Sequence, residues 1–164
     1  MIPAYISYYS KLFSMDPFES TPEILANEEH LDGFLKAFEH GTWPKADWTH
    51  AAHIAVASCY LIAYPLEVAT DRIRLGIRHY NHCVGTRNTD HSGYHETLTV
   101  FWMAIVKEHL AQLPPKTPRL EAVRTVVEEL GPRRDLFKEY YGFDVVKSLE
   151  ARRAWVGPDL KALP

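Results

Sequence analysis

Only two cysteines occur in the chain, Cys59 and Cys83, too few for a disulfide framework or a four-thiolate metal site. Cys59 stands among Ala57, Ser58, Tyr60 and Leu61, the setting of a buried, inert thiol. No apolar run approaches the roughly 18–20 residues that a bilayer-spanning helix needs, so no membrane association is expected. Clustered positive charge is missing as well. The formal net charge is -3 and no Lys/Arg run stands out, which leaves a nucleic-acid partner without an electrostatic footprint. The opening MIPAYISYYSKLF lacks the basic flank, apolar centre and small-residue cleavage site of a signal peptide, and a cytoplasmic location is the expectation. HExxH, GxSxG, CxxC and a glycine-rich phosphate loop are all missing from the sequence, removing the most specific hydrolase, redox and nucleotide signatures.

What remains is a chain of 164 residues, 46% hydrophobic and 24% charged, the balance of a globular protein able to bury one ordinary core. Residues 1–20 are aromatic but aperiodic and read as an extension packed on the surface. Residues 21–164 read as one helical domain. From Asn27 the residues Leu31, Phe34, Leu35 and Phe38 share one helical face, and Gly41 is a natural stop. Asp47 offers a cap for a second helix carrying Ile54, Ala57 and Leu61. Pro65 suits the first turn of a third, with Ala69, Ile73, Ile77 and Tyr80 inward and Gly85 near its end. A fourth helix is expected from about Tyr94 and a fifth from Pro118 to Leu130, with shorter helices after Asp135. No alternating strand is evident. The expected fold is all-α: a single-domain bundle of about five main helices with short C-terminal helices.

Chemistry concentrates at two stretches, DWTHAAH and SGYHETLT. His50 and His53 lie three apart, hence on one helix face, and their stripe continues into Ala57 and Leu61. A helix N-terminus carries partial positive charge, which disfavours imidazolium and keeps both rings neutral, the state a metal ion requires. His95 also falls at a helix start and leans inward. Three converging neutral histidines with an open fourth position describe a catalytic metal centre, for zinc, iron, copper or nickel. Glu96 is the candidate base or further ligand, although with Gly93 as cap it equally suits a capping box. Tyr94 is a candidate donor to a bound oxygen. His79 and His82, with Cys83 beside them and His91 beyond, sit near a helix end where imidazolium is favoured, and read as surface.

DWTHAAH, SGYHETLT and the tail SLEARRAWVGPDLKALP together resemble a group of short, uncharacterised bacterial helical proteins, over the stretch from about Thr21 to the C-terminus. The resemblance implies that His50, His53, His95 and Glu96 are the positions to follow, and it implies no particular reaction. The expectation is therefore a small helical metalloenzyme acting on a small molecule, hydrolytic or oxidative, with a divalent ion on His50, His53 and His95. The alternative is a non-catalytic ligand-binding or dimerisation module without metal. In that case Tyr8, Tyr9, Phe13, Tyr140, Tyr141 and Trp155 would form an exposed patch or homodimer interface.

Overall fold

The computed structural model describes residues 21–164, and the expected N-terminal extension (residues 1–20, with Tyr8, Tyr9 and Phe13) lies outside them. The described residues form an all-helical bundle without strands. Its elements are α1 (Thr21–Ile24), α2 (Glu28–Glu39), α3 (His50–Ala63), α4 (Leu66–Cys83), α5 (Glu96–Gln112), α6 (Arg119–Leu130) and α7 (Leu149–Arg153), with 3-10 turns at Lys45–Asp47 and Leu136–Glu139. No helix among them is long and apolar enough to cross a membrane.

α2 starts where the Asn27 side chain accepts the His30 N–H at 2.9 Å, with Glu28 and Glu29 in the first turn complementing the helix dipole. Leu31, Phe34 and Phe38 form its buried stripe. Each phenylalanine contributes roughly 1.5–3 kcal/mol by leaving water. The helix stops at Gly41, whose φ of +67° suits glycine and whose missing Cβ leaves room for the Cys83 side chain, 2.4 Å from where that atom would stand.

α3 is the central rod, packing on α4, α5 and α6. Its small residues Ala51, Ala52, Ala55, Ala57 and Ser58 are buried on several faces at once, which lets three neighbours approach closely. Ser58 satisfies its hydroxyl by donating to the Ile54 carbonyl at 2.8 Å. The cap of α3 is Thr49, whose hydroxyl accepts the Ala52 N–H at 3.3 Å, in place of the expected Asp47. The intervening 3-10 turn holds Asp47 back from the helix start. α4 buries Ala69, Ile73, Ile77 and Tyr80, the expected stripe.

α5 begins two residues later than expected. Gly93 takes a φ of +76°, and Asn88 accepts the Tyr94 N–H at 3.0 Å, so the chain turns before the helix forms. His95 then becomes the cap, its Nδ1 accepting the Leu98 N–H at 3.3 Å. Beyond α6 the chain folds back over α5. Tyr140 and Tyr141 are buried against Phe101, with ring centroids at 5.1 and 6.1 Å. Neither belongs to an exposed aromatic patch, because the C-terminal segment turns both rings inward. Among the described members of that group, Trp155, 41% exposed, is the one at the surface. Thr97 fastens the segment by donating to the Ala154 carbonyl at 2.8 Å and accepting the Val156 N–H at 2.9 Å.

Candidate functional site

A cavity of about 640 Å³ opens at the N-terminal end of α3, walled by α4, α5, the loop before α5 and the Gly131–Phe137 stretch. Its volume lies in the range of small-molecule sites. The lining is mostly apolar and aromatic, with Trp48, Tyr80 and Trp102 as the large rings. His50, His53, His95 and Tyr94 all border it, whereas Glu96 does not.

The local fold explains how each ring is held. His50 is the first residue of α3, and the Trp102 indole meets it edge-on with centroids 4.4 Å apart. Its Nε2 is buried and has no hydrogen-bond partner among the described residues. Burial brings the His50 pKa down to about 4. His53 and Arg134 push the same way and the Leu130 carbonyl opposes them. The ring is neutral near pH 7.

His53 lies against the face of Trp48, centroids 4.1 Å apart. Its Nδ1 is 2.7 Å from the Thr49 carbonyl oxygen. A carbonyl only accepts, so Nδ1 carries the proton and Nε2 the lone pair. Burial lowers this pKa too, against the Thr49 bond.

His95 is spent differently. Nε2 lies 2.9 Å from the Val145 carbonyl and therefore donates, while Nδ1 caps α5. Burial keeps it neutral, with Arg152 adding to the effect and the Val145 carbonyl working against it. Both nitrogens hold the fold together, so the ring that the sequence marks as a third ligand closes the cavity without offering it a lone pair. Among the described residues no group of three His, Cys, Asp or Glu side chains stands close enough to hold a metal ion.

Glu96, the first residue of α5, is only 8% exposed. Its Oε1 accepts from Arg74 at 2.9 and 2.6 Å, and its Oε2 accepts the Tyr94 hydroxyl at 2.7 Å. Burial alone would raise the carboxyl, but Arg74 and Tyr94 outweigh it and hold it below the usual range. Tyr94 thus aims its hydroxyl at Glu96, and its ring carries the Arg78 guanidinium 4.2 Å from its centroid. The expected capping box is absent, because the helix starts at Glu96 and Gly93 lies outside it.

Asn81, buried on α4, donates to Asn88 Oδ1 at 2.8 Å and so fixes the loop that covers the cavity. His79, His82 and His91 lie on the surface, with Cys83 Sγ 3.5 Å from His79 Nε2. Sequence reasoning assigns Tyr80 to the core and passes over Trp48 and Arg134. Trp48 carried one signal, an aromatic two residues ahead of His50. Arg134 carried none, since it reaches the site only through the turn after α6. No protein-family model, curated protein or solved structure matches the chain.

Proposed function

We propose that this protein binds and acts on a small molecule in the cavity at the start of α3, with His50 and His53 as the working groups. The observation that carries the reading is the buried His50 Nε2 without a partner. An unsatisfied buried polar atom costs about 1–3 kcal/mol, and a bound ligand with a hydroxyl, which can donate to or accept from this nitrogen, would remove that cost. His53, its tautomer set by Thr49, supports the same reading as an acceptor three residues along the helix face. Proton abstraction from a bound hydroxyl, or from a water held beside it, is the chemistry that two neutral imidazoles in an aromatic-walled cavity suit. His53 would take the proton and His50 would orient the donor.

Phenol, a neutral O–H donor on a flat apolar body, is the test ligand. In amide-resolved NMR titrations it should shift the first turn of α3 and the His50 and His53 imidazole nitrogens, and the His50→Ala/His53→Ala variant should lose the effect. No shift at those residues in the folded wild type refutes the reading.

A second reading is favoured by the same pair of neutral imidazoles: a divalent ion on His50 and His53, with the remaining positions taken by water or ligand. For His95 to join, it would have to surrender its bonds to Val145 and Leu98. Elemental analysis of tag-free protein beside the double alanine variant decides it. Near-stoichiometric metal in the first and none in the second would establish this reading over the first.

A further inference from the structure

The ionic character of the cavity goes beyond its shape. Among the described residues its lining holds two permanently charged side chains, Lys45 and Arg134, and no Asp or Glu. The whole chain is acidic, with 21 Asp and Glu against 18 Lys and Arg, so the excess of positive charge is local. The Arg134 charge is felt at His50. Two acidic groups stand just outside the lining: Asp47, whose charge bears on Tyr80, and Glu96, bonded to the Tyr94 hydroxyl and neutralised there by Arg74.

Two helix starts add to the positive field. α3 begins at His50 and α5 is capped by His95, and both residues border the cavity. In α3 the Thr49 hydroxyl takes the Ala52 N–H, and the N–H groups of His50 and Ala51 are among those a helix leaves unpaired within itself. Backbone donors and an arginine together favour an anion of carboxylate geometry. The uncharged wall is aromatic, with Trp48 and Trp102 each packed against one of the two working histidines.

We propose that the ligand is a small aromatic or similarly flat carboxylic acid that also carries a hydroxyl or amine. Its carboxylate faces Arg134, Lys45 and the first turn of α3, and its hydroxyl or amine faces the His53 lone pair and the unpartnered His50 Nε2. This rests on the small-molecule reading above and adds to it the charge and the two-ended polarity of the ligand. An O–H donor alone would leave the cationic rim without a partner. A bare carboxylate would leave the His53 Nε2 lone pair, fixed by the Thr49 bond, without a donor.

The experiment titrates the full-length chain with phenol, 4-hydroxybenzyl alcohol and 4-hydroxybenzoate at pH 7.5 and low salt, following backbone amides by NMR. The acid should bind at least about fivefold more tightly than the alcohol, the scale of one partly exposed charge contact, and added salt should narrow the gap. The Lys45→Gln/Arg134→Gln variant alters two exposed side chains. It should abolish the preference while leaving phenol binding within about twofold, the margin being small beside a contact of that scale. Equal or weaker binding of the acid, with phenol still bound at α3, overturns the anion assignment and leaves the small-molecule reading standing. An acid preference that survives the double substitution also overturns it, since the charge would then be read elsewhere. Failure of phenol to shift the first turn of α3 sinks the small-molecule reading and this inference with it.

Discussion

Replacing His50 by glutamine should flatten the acid limb of the stability curve, by an amount that follows from the site. The imidazole titrates at about 4 in the folded protein against an ordinary 6.5. The unfolded chain therefore takes up this proton first as pH falls. Stability is lost wherever the unfolded state binds more protons, here from about pH 6.5 downward until the folded ring titrates as well. Above pH 7 the contribution is fully present. At pH 5, where the carboxylates common to both proteins are still mostly ionised, the linkage relation with those two pKa values gives a loss of about 2 kcal/mol relative to pH 7.5. Since the ring is only partly buried, about 1–2 kcal/mol is the expected share. His53 and His95 are depressed in the same direction, so the wild type should fall faster than one group allows. Glutamine keeps a polar side chain but does not titrate, and whatever its burial costs is the same at both pH values. Urea denaturation of both proteins at pH 7.5 and pH 5.0 supplies the measurement. The gap between them should shift in favour of the variant by about 1–2 kcal/mol at the lower pH. Parallel losses would refute the claim that His50 is held neutral by its burial at the cavity.

Arg74→Ala should cost about 2–3 kcal/mol at pH 7, because it strands a buried carboxylate with only the Tyr94 hydroxyl. Glu96→Gln should cost less, since Arg74 keeps Asp71 at 2.8 Å, and chemical denaturation ranks the two. His95→Ala should cost about 1–2 kcal/mol, the scale of a lost cap. His95→Asn, which keeps an acceptor for the Leu98 N–H, should recover part of that in the same assay; equal losses would count against the capping role.

The helices were legible because their evidence is local. Leu31, Phe34 and Phe38, or Ala69, Ile73, Ile77 and Tyr80, repeat at helical spacing and are buried as that spacing implies. Boundaries were less legible where a turn competes. Thr49 and Asp47 are both good caps, and only the 3-10 turn at Lys45–Asp47 selects between them. Gly93 reads as a cap, yet its left-handed φ and the Asn88 bond move the start of α5 to Glu96. The burial of Tyr140 and Tyr141 depends on a C-terminal segment folding back onto α5, and a string of residues carries no mark of that. At the site, His50, His53, Tyr94 and His95 were picked out from residue type and helix position and all border one cavity, whereas Glu96, picked out with them, lies outside its lining on Arg74. Arg134 and Trp48 enter that cavity through tertiary packing, which no motif records.

Histidines at helix starts show why ligand counting from sequence needs a second step. His50 and His95 share the same electrostatic argument: each sits at a positive helix end, each is buried, and each is neutral in consequence. Neutrality is necessary for donating a lone pair, but availability depends on what each nitrogen already holds. The N-cap position spends the Nδ1 of His95 on the helix itself, and a carbonyl 50 residues away in sequence spends its Nε2. One position further into its helix, His50 leaves capping to Thr49 and keeps Nε2 unspent. His53, a turn into the same helix, bonds the Thr49 carbonyl through Nδ1 and turns its other nitrogen into an acceptor. Thr49 thus serves both helix and site: its hydroxyl relieves the first turn of a capping demand, and its carbonyl sets the His53 tautomer. A shift of the α3 cap by one residue would convert His50 from a group available to a ligand into a second structural cap.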